Sequence, residues 1–380
     1  MNQISTHTKK NLHTNIPLGK YLKIISYLFF TFNLFAQPTS SKMFVSNNKN
    51  LERILIKKSH QKPVITVIGE NQFTELTDFI IPYGILKRAN IGEIFALAPN
   101  KGIMNFFPAL SMEIKTSFSD FDHIHPEGSD IVIVPAIHNS ENKTIIQWIQ
   151  SQSQKGATIV GICDGVWTVG HAGLLENKKA TGHWYSKEGL NKSFPNTKWI
   201  QNKRYIQDQN IITTTGVSAS LPISISLIEV LANETKAKLM AEEIGFTNWS
   251  SHHKTEGFQF SSVHYITAAK NLIFVWNHET IGISIYEGID EVSLALVADS
   301  YSRTYKSKAF AISNQPIQTK SGLVLIPEMQ VTDNSKIDYY TEIPKDKKPY
   351  DLFLNALHDI QYRYGINTYQ FVTNQLEFSL

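Results

Sequence analysis

From Pro63 onward, short apolar runs alternate with stretches whose apolar residues recur at helical spacing. "VITVIG" (Val64 to Gly69) is an unbroken apolar run of strand length. In Thr74 to Ala89, Leu76, Phe79, Ile80 and Leu86 fall near a 3.6-residue period, which predicts a helix directly after the strand. "EIFALAP" and "DIVIVP" (Asp130 to Pro135) predict two further strands, Lys143 to Lys155 a helix, "ATIVGIC" a strand and Asp164 to Leu175 a helix. "RYIQDQNIITTTG" predicts a hairpin-like pair, and Pro222 to Ala232 a closing helix. Strands that are apolar throughout are covered on both faces, so the pattern predicts parallel β-α-β units: a doubly wound, flavodoxin-like α/β sheet.

The pattern changes after Ala232. "ETKAKLMAEEIG" and "VHYITAAKNLIFVWNH" predict helices, and residues 233–280 read as a helical insert or linker. Beyond it "YEGIDEVSLALVA" (Tyr286 to Ala298) echoes "TELTDFIIPYGIL" (Thr74 to Leu86). Both stretches open with Glu-x-x-Asp, follow a glycine-containing strand and lead through an apolar helix to a short strand, "FALA" at Phe95 and "FAIS" at Phe310. Residues 281–335 therefore read as a degenerate partial second copy, and a helix from Tyr350 to Tyr364 closes a region that runs over 281–380. The first α/β unit is bounded at 63–232. The second copy lacks a counterpart of the turn at Cys163, which assigns any chemistry to the first.

Composition narrows the class. With 42% apolar and 11% aromatic residues the chain can bury real cores. A net charge of +3 from 36 basic and 33 acidic residues is nearly balanced, and no basic run interleaved with aromatics lies beyond the first residues, so nucleic acid is not an indicated partner. The first 40 residues differ. Lys9, Lys10, Lys20 and Lys23 precede the apolar stretch Ile24 to Phe35, and Ala36 is followed by "QPTSS", the order of an export signal. The alternative is a membrane anchor through residues 20–36, although that apolar stretch is shorter than the ~20 residues a bilayer span takes. Both readings place the body of the protein outside the cytoplasm, periplasmic or membrane-anchored.

Cys163 is the one cysteine in the chain, so it forms no internal disulfide. It is either a small buried apolar residue or a functional thiol. Its setting favours the second: an apolar strand runs through "CDG" into a helix, the sequence form of a nucleophile elbow, with Gly161 and Gly165 allowing the backbone to crowd. A helix N-terminus next to the sulfur would favour thiolate, and Asp164 would oppose it.

The ordered stretches "DFIIPYGIL", "DIVIVPA", "GATIVGICDG", "HAGLLENKKATGHW" and "IITTTGVSAS" resemble the ThiJ/PfpI superfamily, the class I glutamine amidotransferase-like fold, over about residues 63–232. They are most similar to the amidase-like domains that precede AraC-type DNA-binding domains. The resemblance implies that Asp78, four residues before Pro82, contacts the elbow cysteine, and that His183 lies beside the thiol. It also implies two backbone donors for an oxyanion, Asp164 after the nucleophile and Ala136 or Ile137 after the third strand. The family's Pro-Gly-Gly is here Pro135-Ala136-Ile137, and side chains at those glycine positions narrow the pocket or tilt the donor. By the same resemblance the chain either forms a homodimer or uses its second copy as an intrachain partner.

Other candidates are weaker. Glu75 is a second acid or a helix-start residue. Asp122, His123 and His125 in "DHIHPEG" lack a third ligand at set spacing, so no metal site is assigned there, and His252 with His253 reads the same way. His171 packs or is solvated. The segment aligned with the glutamine amidotransferase His-x-Glu pair contains no histidine, which argues against glutamine hydrolysis. No dinucleotide or phosphate-loop fingerprint occurs, so no cofactor is expected. Two functions stand: a hydrolase or lyase/hydratase acting on a small electrophile through Cys163 with Asp78 as acid/base, or a non-catalytic ligand- or redox-sensing domain.

Overall fold

In the computed structural model, which describes residues 51–379, the apolar runs line up as neighbours in one sheet. Its strands are β1 (Val64–Ile68), β3 (Glu93–Ala98), β6 (Thr116–Ser117), β7 (Ile131–Val134), β8 (Thr158–Gly161), β11 (Tyr205–Asp208) and β12 (Ile211–Thr214). The spatial order is β11-β12-β8-β7-β1-β3-β6. All pairings are parallel except β11 with β12, the predicted hairpin. The chain moves from β1 to β3 on one side, then returns to β7 on the other. The switch point of this flavodoxin-like order therefore lies at the C-terminal ends of β1 and β7. β1, β7 and β8 are buried along their whole lengths, as the uninterrupted apolar runs require.

Helices cover both faces. Leu76–Arg88 and Ser220–Leu231 pack on one side, while Lys143–Gln154 and Gly165–His171 lie in the core cluster of the other. The predicted Asp164–Leu175 helix stops early, since Gly173 takes a left-handed φ of +77°. The pattern did not reveal β2 (Gln72–Glu75), β4 (Gly102–Phe107) and β5 (Ser111–Ile114), nor the small ribbon of β9 (Lys179–Ala180) with β10 (Lys198–Trp199).

Residues 279–341 contain a second parallel unit. β13 (Glu279–Ser284) leads through the Glu291–Ser302 helix to β14 (Ser307–Ile312), and β17 (Tyr339–Thr341) pairs on the other side of β13. Its short strands β15 (Ile317–Gln318) and β16 (Val324–Leu325) join β5, β4 and β2 in a five-stranded sheet through the pairing of β16 with β5. The helices Glu234–Ile244 and Ser262–Ile273 connect the two units. Ala237, Met240, Ala241 and Ile244 of the first helix belong to the same core as Ile65 and Leu294. The described residues lie within one compact unit, Asn48–Leu380.

The helices Leu76–Arg88 and Glu291–Ser302 cross closely. A Cβ on Gly84 would meet Glu291 Oε1 at 2.5 Å and Val292 Cγ2 at 2.9 Å, so any larger residue would force those side chains to shift. The ends of the two helices are tied reciprocally. Arg88, at the end of the first, pairs with the N-cap Asp290 of the second at 2.7 Å. Arg303, the C-cap of the second, pairs with the N-cap Glu75 of the first at 2.5 Å. Each residue type is swapped across the contact, as in an isologous interface. The geometry also re-registers the echo: the partner of Glu75 is Asp290, not Glu287, so Glu-x-x-Asp aligns three residues out of step.

The lysine-then-apolar stretch of the first 40 residues, and the export or anchoring expectation with it, lies outside the described residues. Among the described residues no helix is long and apolar enough to cross a membrane.

Candidate functional site

Cys163 sits two residues beyond β8, at the C-terminal edge of the sheet. Its φ is +53°, a left-handed conformation that costs a non-glycine residue roughly 1–2 kcal/mol. The surrounding turn holds it there: Ile162 N donates to Val134 O (2.9 Å), Gly165 N to Ile162 O (2.7 Å) and Cys163 N to Thr214 Oγ1 (3.2 Å). Gly165 lets the helix start against the end of β7, because a Cβ there would lie 2.0 Å from Val134 O. The strained strand-to-helix turn is that of a nucleophile elbow.

Asp78 lies in the first turn of the Leu76–Arg88 helix and is wholly buried. Its Oδ2 accepts from Ala136 N at 3.3 Å and its Oδ1 from Ser220 Oγ at 3.1 Å. Burial raises its pKa to about 7, against the lowering effect of the Ala136 amide, Arg303 and Ser220. Glu75, the helix N-cap, accepts from Asp78 N at 2.6 Å and from Thr77 Oγ1. It is raised well above the ordinary range, by burial first and then by the charges of Asp78 and Asp299, with Arg303 opposing.

Arg303 Nη2 donates to Glu75 Oε1 at 2.5 Å and Arg303 Nε to Asp299 Oδ2 at 2.7 Å. Three buried carboxyls thus face one guanidinium, too little positive charge for all to ionise. Asp299 Oδ1 is buried and finds no donor if its neighbours are ionised; a proton on Glu75 supplies one. The site therefore stores a proton. Two of these four groups, Asp299 and Arg303, come from the second copy, so the expectation that all chemistry belongs to the first is corrected.

The thiol differs from expectation. Cys163 is 6% exposed, and its pKa is pushed well above the usual thiol value, first by burial and then by the charges of Asp78, Asp164 and Glu75, with Arg303 opposing. The helix after it has only seven residues, too little dipole to offset three neighbouring acids. The resting sulfur is a neutral thiol, and among the described residues it makes no hydrogen bond to Asp78. The acid and the sulfur are electrostatic neighbours, and the Asp78 charge raises the thiol's demand for a proton.

The other expected residues divide. Ala136 N–H, read as an oxyanion donor, is already donated to Asp78. Ala136 O accepts from Glu75 N at 2.8 Å, and Ile137 bridges to Thr74. Asp164 starts the elbow helix without capping it, and its Oδ1 accepts from Ser186 Oγ at 2.5 Å. His183 is buried with both ring nitrogens in use. Nδ1 accepts from Tyr185 N (3.2 Å), which leaves Nε2–H to donate to Gln375 O at 3.1 Å. This ties it to the Ile366–Gln375 helix as a structural residue, and none of its hydrogen bonds goes to Cys163. Asp122 accepts from Trp148 and Gln152, His123 is exposed, His171 meets Ser140 O, His252 is exposed, and His253 pairs with Glu377 at 2.8 Å.

A 260 Å³ cavity lies beside the acid cluster, lined among others by Thr77, Arg204, His253, Asp299, Tyr350 and Glu377. Cys163 does not line it. Two of its lining residues are bonded into the acid cluster: Thr77 Oγ1 donates to Glu75, and Asp299 accepts from Arg303.

Fold and site together define a parallel α/β domain with a cysteine elbow facing a buried acid. Residues 63–230 match the DJ-1/PfpI family, and this part of the chain is a DJ-1/PfpI family domain. The isonitrile hydratase of Pseudomonas putida is 24% identical over 176 residues, 44% of this chain and 72% of that protein. Two Pseudomonas aeruginosa proteins, the HTH-type transcriptional regulators CdhR and GbdR, are 32% identical over 84 residues and 26% identical over 102 residues. These matches cover 25% and 28% of the regulators, well under two thirds of their lengths. Among solved structures, Drosophila melanogaster DJ-1beta aligns over 50% of this chain and 100% of its own at 20% identity and TM-score 0.44. A Salmonella typhimurium DJ-1 superfamily protein aligns over 49% and 99% at 19% identity and TM-score 0.43.

Proposed function

We propose that the chain is a cysteine-dependent hydratase that adds Cys163 to the terminal carbon of a small, slim substrate, an isonitrile being the chemistry that suits the site best. The observation that carries this reading is a neutral, buried thiol beside a buried carboxyl with a pKa of about 7 whose backbone neighbour Ala136 is already engaged. Amide or ester hydrolysis develops charge on oxygen and needs free backbone donors. Addition to an isonitrile does not: the carbon takes both the sulfur and a proton.

Asp78 as carboxylate accepts the thiol proton, sulfur bonds to the isonitrile carbon, and Asp78 returns the proton to that same carbon, giving R–N=CH–S–Cys163. Water then adds to this carbon, the C–S bond breaks, sulfur regains a proton, and the N-substituted formamide leaves. The competent state holds one proton on the thiol and carboxyl together. Activity therefore rises through pH about 7 as Asp78 ionises, and falls where the thiol itself ionises.

Conversion of a short alkyl isonitrile to its formamide, followed by NMR, tests this. We expect turnover that disappears in Cys163→Ser and loses its rise near pH 7 in Asp78→Asn. Turnover that survives Cys163→Ser, or none with isonitriles, glyoxals and amides alike, sinks it. A sensing role has one observation in its favour, since the 260 Å³ cavity opens on Asp299 and His253 rather than on the sulfur. Under that reading a ligand binds equally well to Cys163→Ser. Export is a separate proposal resting on the order of residues 9–36, and mass spectrometry of the chain recovered from the producing cell tests whether a leader has been removed. An intrachain pseudo-dimer is also proposed from the reciprocal helix contact.

A further inference from the structure

We propose that His60, His125 and Glu127 form a binding site for a divalent transition cation of the zinc type, with Asp130 as the orienting carboxylate behind His60. One ligand atom from each of the three lies within 4.8 Å of the others. They come from two turns that lead into adjacent strands. His60 closes the turn before β1, where its N–H donates to Lys57 O at 3.0 Å. His125 and Glu127 belong to the turn before β7, closed by Gly128 N on His125 O at 2.9 Å. β1 and β7 pair side by side, Ile65 opposite Ile131, so the two turns meet at the N-terminal edge of the sheet. Cys163 is at the opposite edge, and the two sites share no residue.

The arrangement around His60 points to a cation. Its Nδ1 is 2.6 Å from Asp130 Oδ2 and its Nε2 is 2.9 Å from Glu127 Oε1. Asp130 is wholly buried and fixed by Val64 N (2.8 Å) and Lys57 N (2.8 Å). Nε2 and Glu127 Oε1 thus face the same side as the His125 ring, and a carboxylate behind the far ring nitrogen is the arrangement that orients a ligating histidine.

The third ligand is held in place by packing. The His125 ring stacks on Phe121 at 4.9 Å and meets Phe95 edge-on at 5.1 Å and His60 at 6.3 Å. Two imidazoles and one carboxylate suit zinc, and the Glu127 side, 38% exposed, leaves the fourth position to water. Such an ion would cross-link the two turns and stabilise the edge where β1 and β7 begin. The spacing of "DHIHPEG" did not show this, because the ligand that completes the set is His60, far upstream in sequence.

The test uses the full chain stripped with a chelator and titrated with zinc chloride by calorimetry, with cobalt(II) absorption as a readout of coordination. We expect one saturable site in the wild type, a cobalt band of tetrahedral type, and a zinc-dependent rise in Tm. Affinity is expected to fall about tenfold or more in His125→Ala and in the near-isosteric Glu127→Gln, with the Tm rise lost. Both variants change partly exposed turn positions, and circular dichroism shows whether each remains folded. Absence of saturable binding in the wild type overturns the proposal, as does zinc affinity unchanged in both variants.

Discussion

Replacing Asp78 with Asn tests the proton held at the site without removing its hydrogen bonds. Asn can accept from Ala136 N–H with its oxygen and donate to Ser220 Oγ with its amide, so the packing around the helix start is kept. What is lost is the titration. The folded carboxyl has a pKa of about 7 and the unfolded one about 3.9. A carboxyl raised in this way holds a proton in the folded state where the unfolded chain has released it. Its stabilising contribution is therefore complete below pH ~4 and declines as pH rises to about 7. At about 1.4 kcal/mol per unit over roughly three units, wild type should lose on the order of 4 kcal/mol relative to Asp78→Asn between pH 4 and pH 8. Below pH 4 the two proteins should agree within about 1 kcal/mol, since only a neutral acid is exchanged for a neutral amide. Urea unfolding followed by tryptophan fluorescence at pH 4, 5, 6, 7 and 8 measures the difference directly. Glu75 and Cys163 lose the raising effect of the Asp78 charge in the variant, so the measured difference includes that coupling. A wild-type-minus-variant difference that stays flat across this range would refute the argument, and the proposed catalytic proton transfer would lose its acid/base.

Two further outcomes follow from the same cluster. Alkylation of native Cys163 by iodoacetamide should accelerate about tenfold per pH unit through pH 9 without a plateau, whereas the urea-unfolded chain should level off near pH 8.5; a native plateau at or below 8.5 would contradict a neutral resting thiol. Arg303→Gln should destabilise by about 3–5 kcal/mol at pH 7, because it leaves Asp299 buried without its countercharge and Glu75 without its hydrogen-bond partner. The loss should shrink toward pH 4 as the acids take up protons, and Arg303→Lys should recover part of it; equal losses at both pH values would show that the guanidinium packs rather than compensates charge.

The strands of the first sheet other than β6 were legible, most clearly β1, β7 and β8, because a strand buried on both faces has no polar position to hide it. β1, β3, β7, β8 and the β11–β12 hairpin all fall where their apolar runs lie. β4 and β5 were not legible. Their burial patterns mix exposed and buried residues, and β5 completes its pairing with β16 from the second copy, a partner that no local periodicity encodes. The same distinction separates the site residues. Cys163 announces itself by the turn chemistry of "CDG", whereas Asp78, four residues before Pro82, is pointed to by the family resemblance. The ionisation of both, however, depends on charges that arrive from elsewhere in sequence.

Arg303 is the clearest case of a site residue the sequence nearly held. The echo between Thr74–Leu86 and Tyr286–Ala298 pointed to two related helices, but matching Glu-x-x-Asp to Glu-x-x-Asp put them three residues out of step. Aligned by their N-caps, Glu75 with Asp290, the helices end on Arg88 and Arg303. Two such helices packed antiparallel must bring each N-terminal acid to the other's C-terminal arginine, which is also where the helix dipoles favour those charges. One pair, Arg88 with Asp290, keeps Asp290 partly exposed and serves only to join the copies. The other is sealed at the elbow, where the same contact becomes the countercharge that limits how many protons Glu75, Asp78 and Asp299 must hold. The asymmetry follows from Cys163 being present in one copy alone: a contact built by symmetry acquires a chemical consequence only on the side where a thiol lies next to it.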